Sequence, residues 1–180
     1  MKRLGSLFVL TTFIAACTAT PPAPAPAEPA APAAKPYASL GKLMRGIPFP
    51  ASNIIFDAQS TDPGAPVKSG EAGAGATAQY ASVYGGWEAV ENAALAISET
   101  ANLIMIPGRM CMNGKPVPTG NEDFAKWAAD LATAGEAALK AAQSKNLDAM
   151  VDVAGTVSDA CAACHDKYRE TPSGDIKDRC

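Results

Sequence analysis

Four stretches of the chain place an apolar residue at alternating steps of three and four, and that spacing confines the fold to packed helices. The first runs through Tyr37, Leu40, Met44, Ile47, Ala51, Ile54 and Ala58, and the second through Val83, Trp87, Val90, Ala94, Ile97, Ala101 and Ile104. The third follows Phe124, Trp127, Leu131, Ala134 and Ala138 behind a cap at Thr119 or Asn121. The fourth follows Leu147, Met150, Ala154, Val157, Cys161, Cys164 and Tyr168. The segments from Asp62 to Ala76 and from Pro107 to Pro118 are rich in Gly and Pro, while the link from Gln143 to Asn146 is short and polar. Amphipathic helices joined in this way predict an all-α fold, an antiparallel up-down-up-down four-helix bundle. Pro48 and Pro50 interrupt the first stripe. The ring of Pro48 would meet the carbonyl of Met44 four residues earlier, so a kink is expected there.

The fourth stripe carries Cys161-Ala162-Ala163-Cys164-His165, and His165 is the only histidine in the chain. Two thiols at this spacing, followed at once by an imidazole, are the attachment pattern of a c-type haem: the thiols form thioethers with the vinyl groups and the imidazole reaches the iron. A structural zinc needs about four ligands, and neither a second Cys-x-x-Cys nor a His pair is present. A thioredoxin-like dithiol would sit between a strand and a helix, whereas this motif lies within a helical pattern. Asp148, Asp152, Asp159 and Asp166 fall on the opposite side of the helix, which turns Cys161, Cys164 and His165 toward the core. One covalently attached haem c is therefore expected as a core component.

The N-terminus carries an address. Lys2 and Arg3 precede a short apolar run from Leu7 to Ala16, too short for a transmembrane span and shaped like a secretory signal. The run ends at Ile14-Ala15-Ala16-Cys17, which resembles a bacterial lipobox with Cys17 as the acylated residue; plain cleavage near Ala19 is the alternative. Thr18, in place of an Asp, resembles the pattern sorted to the outer membrane. Residues 1–17 thus read as a lipoprotein signal peptide and lipobox. Residues 18–36, dominated by Pro and Ala, read as an extended tether that cannot form a core. Residues 37–172 form the bundle and 173–180 a C-terminal tail. Of 180 residues about 140 remain for folding, enough for one core, and a net charge of −3 points to no nucleic-acid partner.

The sequence Cys161-Ala-Ala-Cys164-His165-Asp166-Lys167-Tyr168-Arg169, at the end of the last of four helical stripes, resembles the class II c-type cytochromes, the cytochrome c′ family and its low-spin relatives. The resemblance implies a four-helix bundle with one haem held near the end of its last helix. It also implies that Arg169 pairs with a haem propionate, although a cation at a helix C-terminus is stabilised by the macrodipole without any ligand. Family members often carry an Arg one turn before the distal position; Leu40 stands there in this chain, and Arg45 follows Met44.

The second axial position decides the mechanism. In an antiparallel bundle Met44 lies about 10 Å and His165 about 6 Å from the same end, at 1.5 Å per residue, so the two share a level. Met44 then either fills core or ligates the iron, and the resemblance favours ligation; Met105, Met110, Met112 and Met150 are weaker rivals. With Met44 bound, the expected protein is a low-spin carrier exchanging electrons with periplasmic or membrane redox proteins. Without it, the iron is five-coordinate and the resemblance implies a binder of NO or CO. No second histidine is available as a distal acid or base, so an enzyme is not expected. Family members are often dimeric, which leaves a homodimer open, but no stripe carries an extra apolar face that requires one.

Five cysteines, less Cys17 and the two haem thiols, leave Cys111 and Cys180. In an oxidising compartment such a pair tends to close, and the second and fourth helices would bring both residues to one end of the bundle. Two free thiols, or a bridge between chains through Cys180, are the alternatives.

Overall fold

The structure, a computed structural model, describes residues 33–65, 84–170, 173–175 and 179–180. The expected signal segment, Cys17 and the expected tether up to residue 32 lie outside the described residues, as does Val83. The described residues form α1 (Leu40–Gly46), α2 (Pro48–Asp57), α3 (Gly86–Ile104), α4 (Glu122–Gln143), α5 (Leu147–Cys164) and a π-helical turn (His165–Arg169). No strand occurs among them; the only β feature is an isolated bridge between Met110 and Pro116. The fold is an all-helical bundle in which α1 and α2 together make one broken rod. α3 packs on α4, α4 on α5, and α2 on both α3 and α5, closing a ring around a shared core.

The first stripe is two helices and not one kinked helix. Pro48 has no N–H to give to Met44, so the ladder stops, and Pro48 instead opens α2 at its first position, where that N–H would be unpaired anyway. Ile47 between them leaves helical geometry, at φ −127° and ψ −68°. Beyond the break Ala51 and Ala58 keep their expected buried places, but α2 also buries Pro48, Ser52 and Ile55, while Ile54, expected on the seam, is 39 % exposed. Tyr37, expected to start the first helix, precedes α1 and lies 89 % exposed.

The other stripes lie close to their expected positions. Ile97, Phe124, Met150 and Val157 are fully enclosed, and burying each such side chain contributes roughly 1.5–3 kcal/mol. α3 and α4 approach closely at Gly135, where a Cβ would come 2.7 Å from the backbone nitrogen of Ser98. α5 starts at Asn146, whose side-chain oxygen accepts the Ala149 N–H at 3.0 Å. The expected cap at the head of α4 falls on Asn121, but its side chain makes no capping bond. The fourth stripe ends as a π turn, with the Glu170 N–H bonding the His165 carbonyl at 2.8 Å, and no longer as the plain α-helix expected. Single π turns of this kind often mark functional sites. Among the described residues no helix is long and apolar enough to cross a membrane.

Candidate cofactor site

The inward stripe of α5 is buried at Met150, Val153, Ala154 and Val157, then becomes half-buried at Cys161 and Cys164. The change has a simple cause: beyond Val157 the helix faces a cavity. That cavity has a volume of about 920 Å³, within the usual range for cofactor and ligand sites. Cys161, Cys164 and His165 all line it, while Asp148, Asp152 and Asp159 point to solvent. Asp166, although exposed, reaches the cavity rim.

Burial raises the pKa of both thiols. Cys164 is pushed up to about 11, by desolvation first and then by the charge of Asp123 and by Cys161, so both sulfurs are protonated at neutral pH. For His165, burial and then the nearby Arg169 charge lower the pKa, leaving a neutral imidazole with a lone pair to offer a metal. Nδ1 of His165 lies 3.3 Å from Nη1 of Arg169. A guanidinium only donates, so a bond here requires an unprotonated Nδ1.

The π turn is locked to the head of α4. The Tyr168 ring meets Phe124 edge-on at 5.2 Å and Trp127 at 6.0 Å between centroids. Its hydroxyl donates to Asp123 Oδ1 at 2.9 Å and accepts from the Asn121 side-chain amide at 3.0 Å. Asp123 also accepts the Phe124 N–H at 2.9 Å and forms an ion pair with Lys167. That hydrogen bond from Lys167 is the main reason the Asp123 carboxyl is held below the usual carboxylate range. Phe124, Trp127 and Leu131 then continue the cavity wall along α4. The start of α4 thus sits beside the end of α5, as the short Gln143 to Asn146 link requires of an antiparallel pair.

The facing wall comes from α1, α2 and the segment after α3. Leu40, Met44, Phe49, Ser52 and Phe56 line it, so Met44 shares the cavity with Cys161, Cys164 and His165. Of the rival methionines only Met112 reaches the cavity; Met150 is fully buried in the core. Met112 fits because Gly41 has no side chain: a Cβ there would overlap the Met112 sulfur. The Leu40 N–H donates to the Met110 carbonyl at 2.8 Å, tying the start of α1 to this segment. Arg109, only 4 % exposed, donates to the Leu103 carbonyl from Nε at 3.0 Å and Nη2 at 2.8 Å, and to the Ala38 carbonyl from Nη1 at 2.8 Å.

Cys111 and Cys180 are disulfide-bonded, with Cα atoms 4.2 Å apart and a separation of 69 positions in sequence. The bridge brings the C-terminus to the cavity, where Arg179 and Cys180 join its lining. Arg169 lies on the rim, with Nε 3.3 Å from Glu170 Oε1.

Three residues that shape the site escape sequence reading. An acidic residue in the first turn of α4 facing a basic one in the π turn that follows α5 is the signal that would have found Asp123. Arg179 is adjacent to a half-cystine, which carries it wherever the bridge goes. A lone arginine in a Gly- and Pro-containing connection, such as Arg109, gives no signal at all.

The donor set fits a haem. Two thiols, a neutral imidazole and a thioether share an otherwise largely apolar enclosure, and the Nε of Arg179 is buried without a hydrogen-bond partner among the described residues, as expected where an anionic group belongs. No curated protein and no solved structure matches the chain. The family model described as Cytochrome C′ matches residues 117–169, the stretch that holds α4, α5 and the π turn with Cys161, Cys164 and His165. That match, together with the motif it encloses, supports a class II c-type cytochrome, similar over this stretch to the cytochrome c′ family and therefore to haem-binding proteins.

Proposed function

We propose that this protein is a monohaem electron carrier whose iron is bound by His165 and Met44 and whose porphyrin is held through Cys161 and Cys164. The observation that carries the reading is that both thiols, the only imidazole and the Met44 thioether line a single cavity. A haem held by His165 and the Met44 thioether would supply one-electron chemistry at raised potential. The chain's own residues provide the rest. Phe124, Trp127, Leu131 and Phe56 keep water from the iron, and the Tyr168–Asp123 contacts fix the turn that bears His165. Were His165 to bind through Nε2, its ring proton would sit on Nδ1, so Arg169 would give up that contact while keeping Glu170, and from the rim it would face a propionate.

The proposal extends to the setting. The bundle works in the periplasm, hung by an acylated Cys17 and its Pro/Ala tether from a bacterial membrane, the outer one by the residue after the cysteine. Its partners are periplasmic or membrane redox proteins, and it is a carrier and not a catalyst.

Absorption spectra of the reduced protein with and without CO test the ligand set. Bound Met44 predicts a low-spin spectrum that CO alters slowly or not at all, and Met44→Ala should give a high-spin haem that takes up CO readily. Rapid CO binding by the unmodified protein would instead establish the five-coordinate NO- or CO-binding alternative.

A further inference from the structure

The C-terminus brings to the cavity a cation whose Nε has no acceptor among the described residues. That cation, Arg179, lines the wall, and the Nε is buried. Its remaining contact is long, from Nη2 to the Gly174 carbonyl at 3.4 Å. Arg169, by contrast, has Glu170 at 3.3 Å and the His165 ring nitrogen at 3.3 Å. A buried N–H on a permanently charged group calls for an acceptor, and an anionic one suits it best.

The backbone of Arg179 is pinned from two sides. The next residue, Cys180, is bridged to Cys111, and the Asn113 N–H donates to the Arg179 carbonyl at 3.2 Å. From the other side, the Cys180 N–H donates to the carbonyl of Tyr168 at 3.1 Å, within the same turn that bears His165. The arginine is therefore held between the segment after α3 and the end of the last helix, on the rim shared by both walls.

We propose that Arg179 binds a carboxylate of the molecule in the cavity, a propionate when that molecule is haem, and that the Cys111–Cys180 bridge holds it in place to do so. The inference rests on the haem-binding reading above. A guanidinium fork matches a carboxylate or a phosphate, and haem carries only carboxylates. The disulfide is then part of the cofactor site, and the tail acts as a clasp across the cavity edge.

The test uses purified holoprotein: wild type, Arg179→Gln, Arg179→Lys, and the double variant Cys111→Ser/Cys180→Ser. Resonance Raman reports the propionate-bending band, electrochemistry the midpoint potential, and mass spectrometry the covalent haem. Arg179→Gln should keep its haem, shift the band and lower the potential, because a cation beside the porphyrin favours the ferrous state. Arg179→Lys should recover more of the potential than of the band, since it restores the charge without the fork. The double variant should shift the band as Arg179→Gln does. A band and potential unchanged in haem-loaded Arg179→Gln would overturn the carboxylate contact, and a wild-type band in the double variant would overturn the role of the bridge. Wild-type protein without covalent haem would instead bring down the underlying reading, an outcome the mass spectrum separates from the other two.

Discussion

The two walls of the cavity are held by different means. The wall carrying Cys161, Cys164 and His165 is a helical hairpin: α4 and α5 are joined by a short link and braced at the far end by Tyr168, Asp123 and Lys167. The wall carrying Met44 is gathered from pieces. A broken rod, the segment after α3 and the C-terminal tail are joined by Leu40 to Met110, by Arg109 to Ala38 across 71 residues, and by a disulfide across 69. The wall with the Cys-x-x-Cys-His motif is thus stabilised by packing along continuous helices, while the position of Met44 depends on a few separate ties.

The largest effect should come from breaking the hairpin wall at its packing centre. Phe124 is 1 % exposed and bears on Tyr168, so Phe124→Ala should cost about 3–5 kcal/mol, as such truncations of large aromatics usually do. Urea denaturation of the holoprotein measures it; a loss below about 1 kcal/mol would mean that this packing does not hold the wall.

The gathered wall should be more sensitive to a polar loss than to any single apolar one. Arg109→Ala leaves the Leu103 and Ala38 carbonyls without their donor, with an expected cost of about 2 kcal/mol. The same variant should loosen α1 and speed CO access to the reduced haem, whereas Phe124→Ala should destabilise without a comparable gain in distal access. Equal CO rates in the two variants would erase the distinction between the walls.

The smallest effect is electrostatic. Lys167 lowers the Asp123 pKa from 3.8, so the folded state binds that proton less readily than the unfolded one. The brace is therefore fully present above the unfolded value and is lost as pH falls through the lower folded value. Since the pair is largely exposed, the melting-temperature gap between wild type and Asp123→Asn should be small and should shrink in salt. It should close as pH drops below about 4. A gap that widens in acid would show that Asp123 acts in some other way.

Sequence periodicity makes the hairpin wall legible because it repeats one pattern over long helices. Phe124, Leu131, Met150 and Val157 lie on the expected seams and are buried. The motif itself is read from local spacing, and the match over residues 117–169 covers the same half. The other wall defeats periodicity at Pro48, where a missing N–H splits the rod, and at one seam position, where Ile55 is buried in place of Ile54 between the expected Ala51 and Ala58. Its ties join residues about 70 apart, which no local pattern encodes. The pair Cys111 and Cys180 is the exception: cysteine arithmetic singled it out, and the structure joins the two. The buried Arg109 and the buried Nε of Arg179 depend on where remote backbone carbonyls and the cavity edge fall, so only the folded chain reveals them.

Acid–acetone extraction of protein purified from an exporting host shows directly whether Cys161 and Cys164 hold a haem through thioethers, with His165 as the ligand to its iron. The haem absorbance should stay with the polypeptide, at one haem per chain, and the native spectrum should be lost in His165→Ala. Haem that extracts completely into the solvent, or a wild-type chain with no haem at all, would contradict that attachment.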